Sequence, residues 1–414
     1  MVKFCVDKII DGKPYPNLAQ WNARPYTQDW RKFSTNWPYS EPVHFFEYLS
    51  QENIPYQIVD WAQSDRSTLY PISLSFFDFG IDWFALLPIM IREKLRSKNI
   101  TLWFFYSEGD HPGRIRDHLY AQFQKYDIDC DLIQFTSANS AADQLSGFHY
   151  FVDDECLYRL RNSNAPIEFH DRPRSHKYTA LVRTHKWWRA TTMARIWTLG
   201  LHCQGFFSYN YNVSVDDREI DNPIEVDRFD NLRANTYTFL QHCPFQADEL
   251  SSQEHNLYAN TVVEHFEDSY LNVVLETHLD VDQSGGVFLT EKTFKPIKHC
   301  QLFMIFGAQG SIAQLRNMGY DTFDHVIDHS YDVIEDNTQR WDRACKEFER
   351  LMQIDLHSIY VQCRSSLEHN QQLFLSSKAD RLNTLLKKVS NYATTRKQLY
   401  QLATSRRSDR RSRL

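Results

Sequence analysis

Residues 271–311 read LNVVLETHLDVDQSGGVFLTEKTFKPIKHCQLFMIFGAQGS, and this stretch decides the fold class. Its two apolar runs are typical of buried parallel strands, and each is followed, after a loop, by a segment with helical spacing. The predicted order is a strand at 270–276, a helix at 291–299, a strand at 302–306 and a helix at 311–318. Strands and helices that alternate in this way form a parallel sheet with crossover helices. The stretch therefore predicts a Rossmann-like α/β unit.

The same alternation occurs in the N-terminal half of the chain. Between Glu41 and Phe151, apolar strand patterns such as Ile100–Tyr106 alternate with helical ones. A polar, proline-bearing stretch from Arg161 to His176 then interrupts the pattern, as a linker does. The alternation restarts with a predicted strand at Tyr178–Val182. The sequence thus predicts two Rossmann-like domains.

The predicted domain organisation has four parts. The first Rossmann-like domain spans residues 1–170 and the second spans 177–350. A helical segment follows at 351–401, where leucines recur on one face of the pattern. The chain ends in a basic tail at 402–414, which closes with TSRRSDRRSRL and is predicted to be disordered.

Composition limits the class of protein. Hydrophobic residues make up 42% and charged residues 24%, so the bulk of the chain is expected to fold. The net charge of -7 argues against a surface built throughout for polyanions, which leaves room only for local contact with nucleic acid. The eight cysteines lack CxxC and metal-ligand spacing, and neither a signal peptide nor a membrane span is predicted. These features favour a cytoplasmic protein without a membrane partner, in the host-cell cytoplasm if the chain is viral.

Four residues of the opening stretch are candidates for binding a diphosphate and the ribose or sugar hydroxyl groups attached to it. The strand delivers Glu276 to its carboxyl end, and Thr290, Glu291 and Lys292 stand where the next helix begins. A helix N-terminus beside a lysine attracts phosphate, because backbone N–H groups, the helix dipole and a cation converge there. The alternative is that Thr290 simply caps the helix, with Glu291 and Lys292 as solvated surface residues. The residue pattern alone does not separate these two interpretations.

A resemblance favours the first interpretation. The stretch resembles the donor-binding motif of the alpha-1,3-fucosyltransferase family, in which a pattern close to FENS is followed by YVTEKLFNAL and a strand that ends in glycine. Here LETH at 275–278 and FLTEKTFKPI at 288–297 stand in those positions. The residues that agree directly are Glu276, Thr290, Glu291, Lys292, Phe294 and Gly307. Phe288 stands in place of the usual tyrosine, and Thr277 and His278 in place of asparagine and serine.

Two further pieces of the family pattern occur in the same order along the chain. LWFFYSEGDHPGRIR at 102–116 resembles its acceptor-side loop, and Glu108 corresponds to the family's general base. Asp110 and His111 are close enough in sequence to compete for that role. In ALVRTHKWWRATTMARIW at 180–197, Arg183 and Thr184 stand where the family has Ser-Asn, and Arg189 lies near the arginine that holds the donor diphosphate. By resemblance, Arg183, Arg189 and Phe288 join the donor-binding set.

The resemblance implies a GT-B-like α/β fold, with two facing Rossmann-like domains, here followed by a C-terminal helical segment. It implies a glycosyltransferase that inverts the anomeric carbon, uses a GDP- or UDP-sugar as donor and needs neither a metal nor another cofactor. The acceptor is expected to be a glycan or another hydroxylated compound. The donor motif also resembles segments of uncharacterised phage and large-virus proteins, so one alternative is a phage enzyme that glycosylates a hydroxymethylated base in DNA. Another is a non-catalytic nucleotide-binding protein on a transferase scaffold.

Overall fold

The protein is described by a computed structural model. The structure describes residues 1–5, 8–10, 13–15, 46, 49–50, 52–74, 77, 79–80, 82–85, 87–106, 108–152, 155–211, 222–247, 262–376 and 379–394. These residues form two compact units. Unit 1 takes the described parts of 1–155 and 377–414, and unit 2 takes those of 156–376. The basic tail at 402–414, with its predicted disorder, lies outside the described residues. No helix among the described residues is long and apolar enough to cross a membrane.

Unit 1 contains a parallel sheet of six strands in the order β4-β1-β5-β6-β7-β8. These strands are β1 Val2–Phe4, β4 Tyr56–Ile58, β5 Leu69–Leu74, β6 Thr101–Tyr106, β7 Ile133–Ser137 and β8 Phe148–Tyr150. A separate antiparallel pair consists of β2 Lys8–Ile10 and β3 Lys13–Tyr15. All six residues of β6, TLWFFY, are buried, as a parallel strand covered on both faces requires.

Two helices of unit 1 follow its strands along the chain, namely α1 Ile89–Arg96 and α2 Pro112–Gln124. The next helix, α3 Glu155–Asn162, belongs to unit 2 from Cys156 onward. The sequence pattern predicts that α1 begins at Asp82, but the helix begins at Ile89, directly after Pro88. Proline disfavours helical backbone in the residue before it, which explains the later start. In α2, Pro112 occupies the first helical position, where its missing N–H costs nothing.

Unit 2 contains a parallel sheet of four strands in the order β10-β9-β11-β12. The strands are β9 His176–Val182, β10 Gly205–Tyr209, β11 Ser269–Leu275 and β12 Leu302–Phe306. Every residue of β11 and β12 is buried, in agreement with their continuous apolar runs. The helices are α4 Trp187–Thr198, α5 Leu232–Gln241, α6 Val263–Glu267, α7 Val281–Ser284, α8 Glu291–Lys298, α9 Ser311–Asn317, α10 Asn337–Leu351, α11 Leu356–Gln362 and α12 Arg364–Leu375.

The last described helix, α13 at 379–394, belongs to unit 1 although it follows unit 2 in sequence. The buried Gln134 on β7 donates from Nε2 to the carbonyl oxygen of Val389 at 3.0 Å. Lys388 forms an ion pair with Asp143 at 3.2 Å. The stretch 161–176 packs within unit 2, where the buried Arg174 guanidinium donates to the carbonyl oxygens of Phe266 and Ser269. The predicted α/β class, with two parallel sheets crossed by helices, is confirmed.

Candidate functional site

The strand order of unit 2 places a topological switch point at the carboxyl ends of β9 and β11. The chain moves from β9 to β10 on one side, and β11 then pairs with β9 on the other side. Residues 183–186 follow β9 and residues 276–280 follow β11; we call these two loops the switch-point edge. Doubly wound sheets bind their ligands outside the carboxyl ends of the strands at such a point. The first part of the predicted donor-binding motif, LETH at 275–278, lies at this edge.

Glu276 is buried at the switch-point edge, with 1% of its surface exposed. Its Oε1 accepts hydrogen bonds from the Thr290 N–H at 2.9 Å and the Thr293 hydroxyl at 2.6 Å. Its Oε2 accepts from the Thr290 hydroxyl at 2.7 Å and the Thr277 N–H at 3.2 Å. The carboxylate thus joins the end of β11 to the start of α8. Thr293 has no counterpart among the predicted site residues.

Thr290 caps α8, as the alternative interpretation of the sequence has it, because its hydroxyl oxygen accepts from the Lys292 N–H. The Lys292 ammonium donates to the Thr290 hydroxyl oxygen at 3.1 Å and to the Thr277 hydroxyl oxygen at 3.4 Å. Its Nζ lies 3.4 Å from Oε1 of Glu291, and its side chain is 34% exposed. Burial works to raise the pKa of Glu291, but Lys292 and Lys295 outweigh that effect and hold the pKa below its usual value. A lysine and an ionised glutamate therefore stand together at the helix start.

Arg189 lies on the first turn of α4 and is buried, with 4% of its surface exposed. Its guanidinium donates to the carbonyl oxygen of Glu276 at 2.6 and 3.2 Å and to that of Thr184 at 3.1 Å. Burial lowers the pKa of Arg189, and the Glu276 charge opposes that shift. The arginine thus ties together the two loops of the switch-point edge. Arg183, by contrast, is exposed.

Lys186, which sequence analysis did not single out, reaches the same edge. It occupies the N-cap position of α4, and its ammonium donates to the carbonyl oxygen of Thr277 at 2.6 Å. Its place between a strand and a helix start is the signal that could have identified it. A residue at that position of a Rossmann-like unit lies at the ligand-binding edge of the sheet.

Two further residues shape the loops at this edge. Phe288 is buried, 7% exposed, and its ring centroid lies 6.2 Å from that of His278. Arg340 on α10, also absent from the predicted set, is buried and donates to the carbonyl oxygens of Leu279 and Gly307. Its guanidinium therefore holds the loop after β11 beside the loop after β12. At Gly307 a Cβ would lie 2.9 Å from the Ser311 hydroxyl oxygen at the start of α9, so a larger residue would require that side chain to move.

The acceptor-side candidates lie together on the loop between β6 and α2 in unit 1. Glu108 and Asp110 are exposed. The backbone of this loop is fixed, because the carbonyl oxygen of Glu108 accepts from the Ser137 hydroxyl at 3.2 Å and that of Gly109 from the Asn139 amide at 3.0 Å. The exposed Glu108 carboxylate is thus presented at the carboxyl edge of the sheet by a braced backbone.

Asp110 and His111 have structural partners. The Tyr106 hydroxyl donates to the Asp110 carboxylate, and burial together with the charge of Asp110 raises the pKa of that tyrosine well above its usual value. His111 caps α2, where its Nδ1 accepts from the Gly113 N–H at 3.1 Å. Asp110 and His111 thus each support the local fold.

Comparison with known proteins gives one remote match. No family model matches this chain, and no curated protein matches it. A solved structure of a mutant T4 phage BGT in complex with UDP-glucose is similar over 91% of this chain and 99% of its own, with 10% identity and a TM-score of 0.26. At that TM-score the likeness carries no functional argument. No group of three or more His, Cys, Asp or Glu side chains that could hold a metal ion occurs within the described part of the chain.

Proposed function

We propose that this protein is a glycosyltransferase that moves a sugar from a nucleoside-diphosphate sugar to a hydroxyl group. One observation carries the proposal. The partly exposed ammonium of Lys292 and the ionised Glu291 meet at the start of α8, beside the switch-point edge of unit 2. Such an arrangement suits a diphosphate joined to hydroxyl-bearing sugars, because the cation binds phosphate and the carboxylate accepts hydrogen bonds from hydroxyl groups. The resemblance of FLTEKTFKPI at 288–297 to the fucosyltransferase motif supports the same assignment.

The resemblance suggests a chemical role for one residue of each unit. Glu108 in unit 1 is the proposed general base, which takes the proton of the acceptor hydroxyl as its oxygen attacks the anomeric carbon. The bond between that carbon and the diphosphate oxygen breaks, and Lys292 in unit 2 stabilises the charge that develops on the leaving diphosphate. A single displacement of this kind inverts the anomeric centre. Glu276 and Arg189 position the loops, since both are buried and engaged with the backbone.

A screen of nucleotide sugars tests the donor half of the proposal. We expect GDP- or UDP-sugars to raise the melting temperature of the full chain, because a ligand that binds the native state stabilises it. Transfer of the bound sugar should then be measured with simple glycans, hydroxymethylated DNA and unmodified DNA as acceptors. If no nucleotide sugar binds and no sugar is consumed, the proposal is wrong. Binding without hydrolysis or transfer to any acceptor would instead indicate the non-catalytic alternative.

The variant Glu108→Gln tests the assignment of the base. It should keep donor binding and lose transfer by roughly two orders of magnitude or more, the usual contribution of a general base. Asp110→Asn is the matched control from the same loop, and it should lose less, since its carboxylate already accepts from Tyr106. A larger loss of transfer in Asp110→Asn than in Glu108→Gln would reassign the base.

A further inference from the structure

The proposed function leaves open which second cation binds the diphosphate. A nucleoside diphosphate carries its charge on two adjacent phosphates, and one ammonium covers only part of it. Arg189 is the cation that the resemblance suggests. Its guanidinium, however, is buried and already donates to the carbonyl oxygens of Glu276 and Thr184. Three of its five N–H groups are thus engaged in the bonds that hold the two loops of the switch-point edge together, and only the other two could donate to a ligand.

Lys186 is better placed than Arg189. It comes from the loop after β9, whereas Lys292 comes from the start of α8. Their ammonium groups nevertheless meet at one residue, because Lys186 donates to the carbonyl oxygen of Thr277 and Lys292 to its hydroxyl oxygen. Both lysine side chains belong to residues of intermediate exposure. Two like charges this close repel each other, and an anion bound between them removes that repulsion.

We propose that Lys186 and Lys292 together form a diphosphate clamp around Thr277, in which each lysine binds one phosphate. This inference rests on the proposed function and adds a ligand preference to it. A diphosphate spans both ammonium groups, whereas a single phosphate satisfies one lysine at a time. The clamp therefore prefers nucleoside diphosphates and inorganic pyrophosphate to nucleoside monophosphates and inorganic phosphate. Bound phosphate oxygens replace the contacts that the two lysines make with Thr277 in the free protein.

Titration calorimetry of the full chain with inorganic pyrophosphate, inorganic phosphate, GDP and UDP tests the clamp. The wild type should bind pyrophosphate at least ten times more tightly than phosphate. The variants Lys186→Met and Lys292→Met should each bind pyrophosphate about tenfold or more weakly than the wild type. Each should also lose most of the preference for pyrophosphate over phosphate. Lys186→Arg keeps the charge and should retain most of the affinity. Lys346→Met is the matched control, since Lys346 is a surface lysine of unit 2, 58% exposed and paired with Asp342.

Each outcome has a distinct meaning. If Lys186→Met binds pyrophosphate as the wild type does while Lys292→Met is weakened, the clamp is wrong and the proposed function stands. If the wild type binds neither pyrophosphate nor any nucleoside diphosphate, the proposed function fails with it. Thermal unfolding of each variant identifies a general loss of structure. Should Lys186→Met fail to fold, Lys186→Gln provides the same test, and an unchanged preference for pyrophosphate in that variant overturns the clamp.

Discussion

Replacing Glu276 by glutamine separates two roles for this residue. The fucosyltransferase resemblance makes Glu276 a donor-binding residue, whereas the structure buries its carboxylate against four donors from Thr277, Thr290 and Thr293. Each carboxylate oxygen accepts from one backbone N–H and one hydroxyl. In Glu276→Gln one of those oxygens becomes an NH₂ group. A hydroxyl can rotate to accept from it, but a backbone N–H cannot, so one backbone N–H loses its acceptor in either amide orientation, either the buried one of Thr290 or the half-buried one of Thr277.

The magnitude follows from the same bonds. An unsatisfied buried N–H costs about 1–3 kcal/mol, and each remaining bond weakens by about 1 kcal/mol when its acceptor becomes neutral. The buried Arg189 guanidinium also loses the negative charge that most offsets its burial. We therefore expect Glu276→Gln to destabilise unit 2 by roughly 3–5 kcal/mol. At roughly 2–4 °C per kcal/mol for units of about 150–250 residues, the melting temperature should fall by roughly 6–20 °C.

Urea unfolding and thermal scans of the variant measure this loss of stability. Donor affinity is titrated separately, at a temperature below the melting temperature of the variant. Thr293→Val is the matched control. It removes one hydroxyl donor and leaves the carboxylate charged, and it should cost only about 1 kcal/mol. The reasoning is refuted if the free energy of unfolding of Glu276→Gln lies within about 1 kcal/mol of the wild-type value while its donor affinity falls. That result would show a carboxylate that contacts the donor, as the resemblance implies.

Four further predictions concern the donor site, metal dependence, acid stability and the acceptor. Lys292→Ala should lower turnover by roughly two orders of magnitude or more with the fold intact, because it removes a charge-assisted contact to the leaving group; wild-type turnover would contradict its role. Activity should survive EDTA, and a loss that magnesium or manganese restores would indicate a different transferase architecture. Burial, aided by the charges of Lys298 and Lys295, lowers the pKa of His299 to about 3. Since the unfolded value is about 6.5, the unfolded state binds more protons between these limits, and stability should fall by up to about 1.4 kcal/mol per pH unit as the pH drops from 6.5 towards 3. His299→Gln should show a shallower decline in urea unfolding, and an equally steep one would refute this origin. If DNA is the acceptor, truncation after Thr404 should weaken duplex binding and flatten its salt dependence without changing donor binding, whereas an unchanged DNA affinity would exclude the tail as the contact.

Local sequence signals were sufficient to predict the strands and the helix start that build the site. The apolar runs at 271–275 and 302–306 are buried parallel strands, and Thr290 stands at the start of a helix, where the sequence places it. These features depend on a few neighbouring residues, so periodicity and capping chemistry identify them. The predicted start of α1 at Asp82 is wrong, because helical apolar spacing extends before Pro88 although the proline disfavours helical backbone there.

The hydrogen-bond partners of the charged side chains at the site could not be predicted from the sequence in the same way. Arg189 and Glu276 are 87 residues apart in sequence, and it is a carbonyl oxygen, which every residue possesses, that accepts from the guanidinium. Lys186 and Arg340 also bond to carbonyl oxygens, so no side-chain type in the sequence marks their partners. A motif can show that a lysine or an arginine stands near a helix start. Whether it faces solvent or the backbone depends on tertiary packing, which short-range patterns do not encode.

Helix α13 makes unit 1 discontinuous in sequence, and unit 2 is in effect an insertion within it. The bond between Gln134 and Val389 spans 255 residues, and the whole of 156–376 lies between its partners. During synthesis the ribosome releases every residue of unit 2 before it releases α13. Domains generally fold as units in the order in which they emerge, so unit 2 can finish folding while the sheet of unit 1 still lacks its last helix. The sheet of unit 1 is therefore synthesised before unit 2 but gains α13 after it, and the surface that α13 covers stays exposed until then.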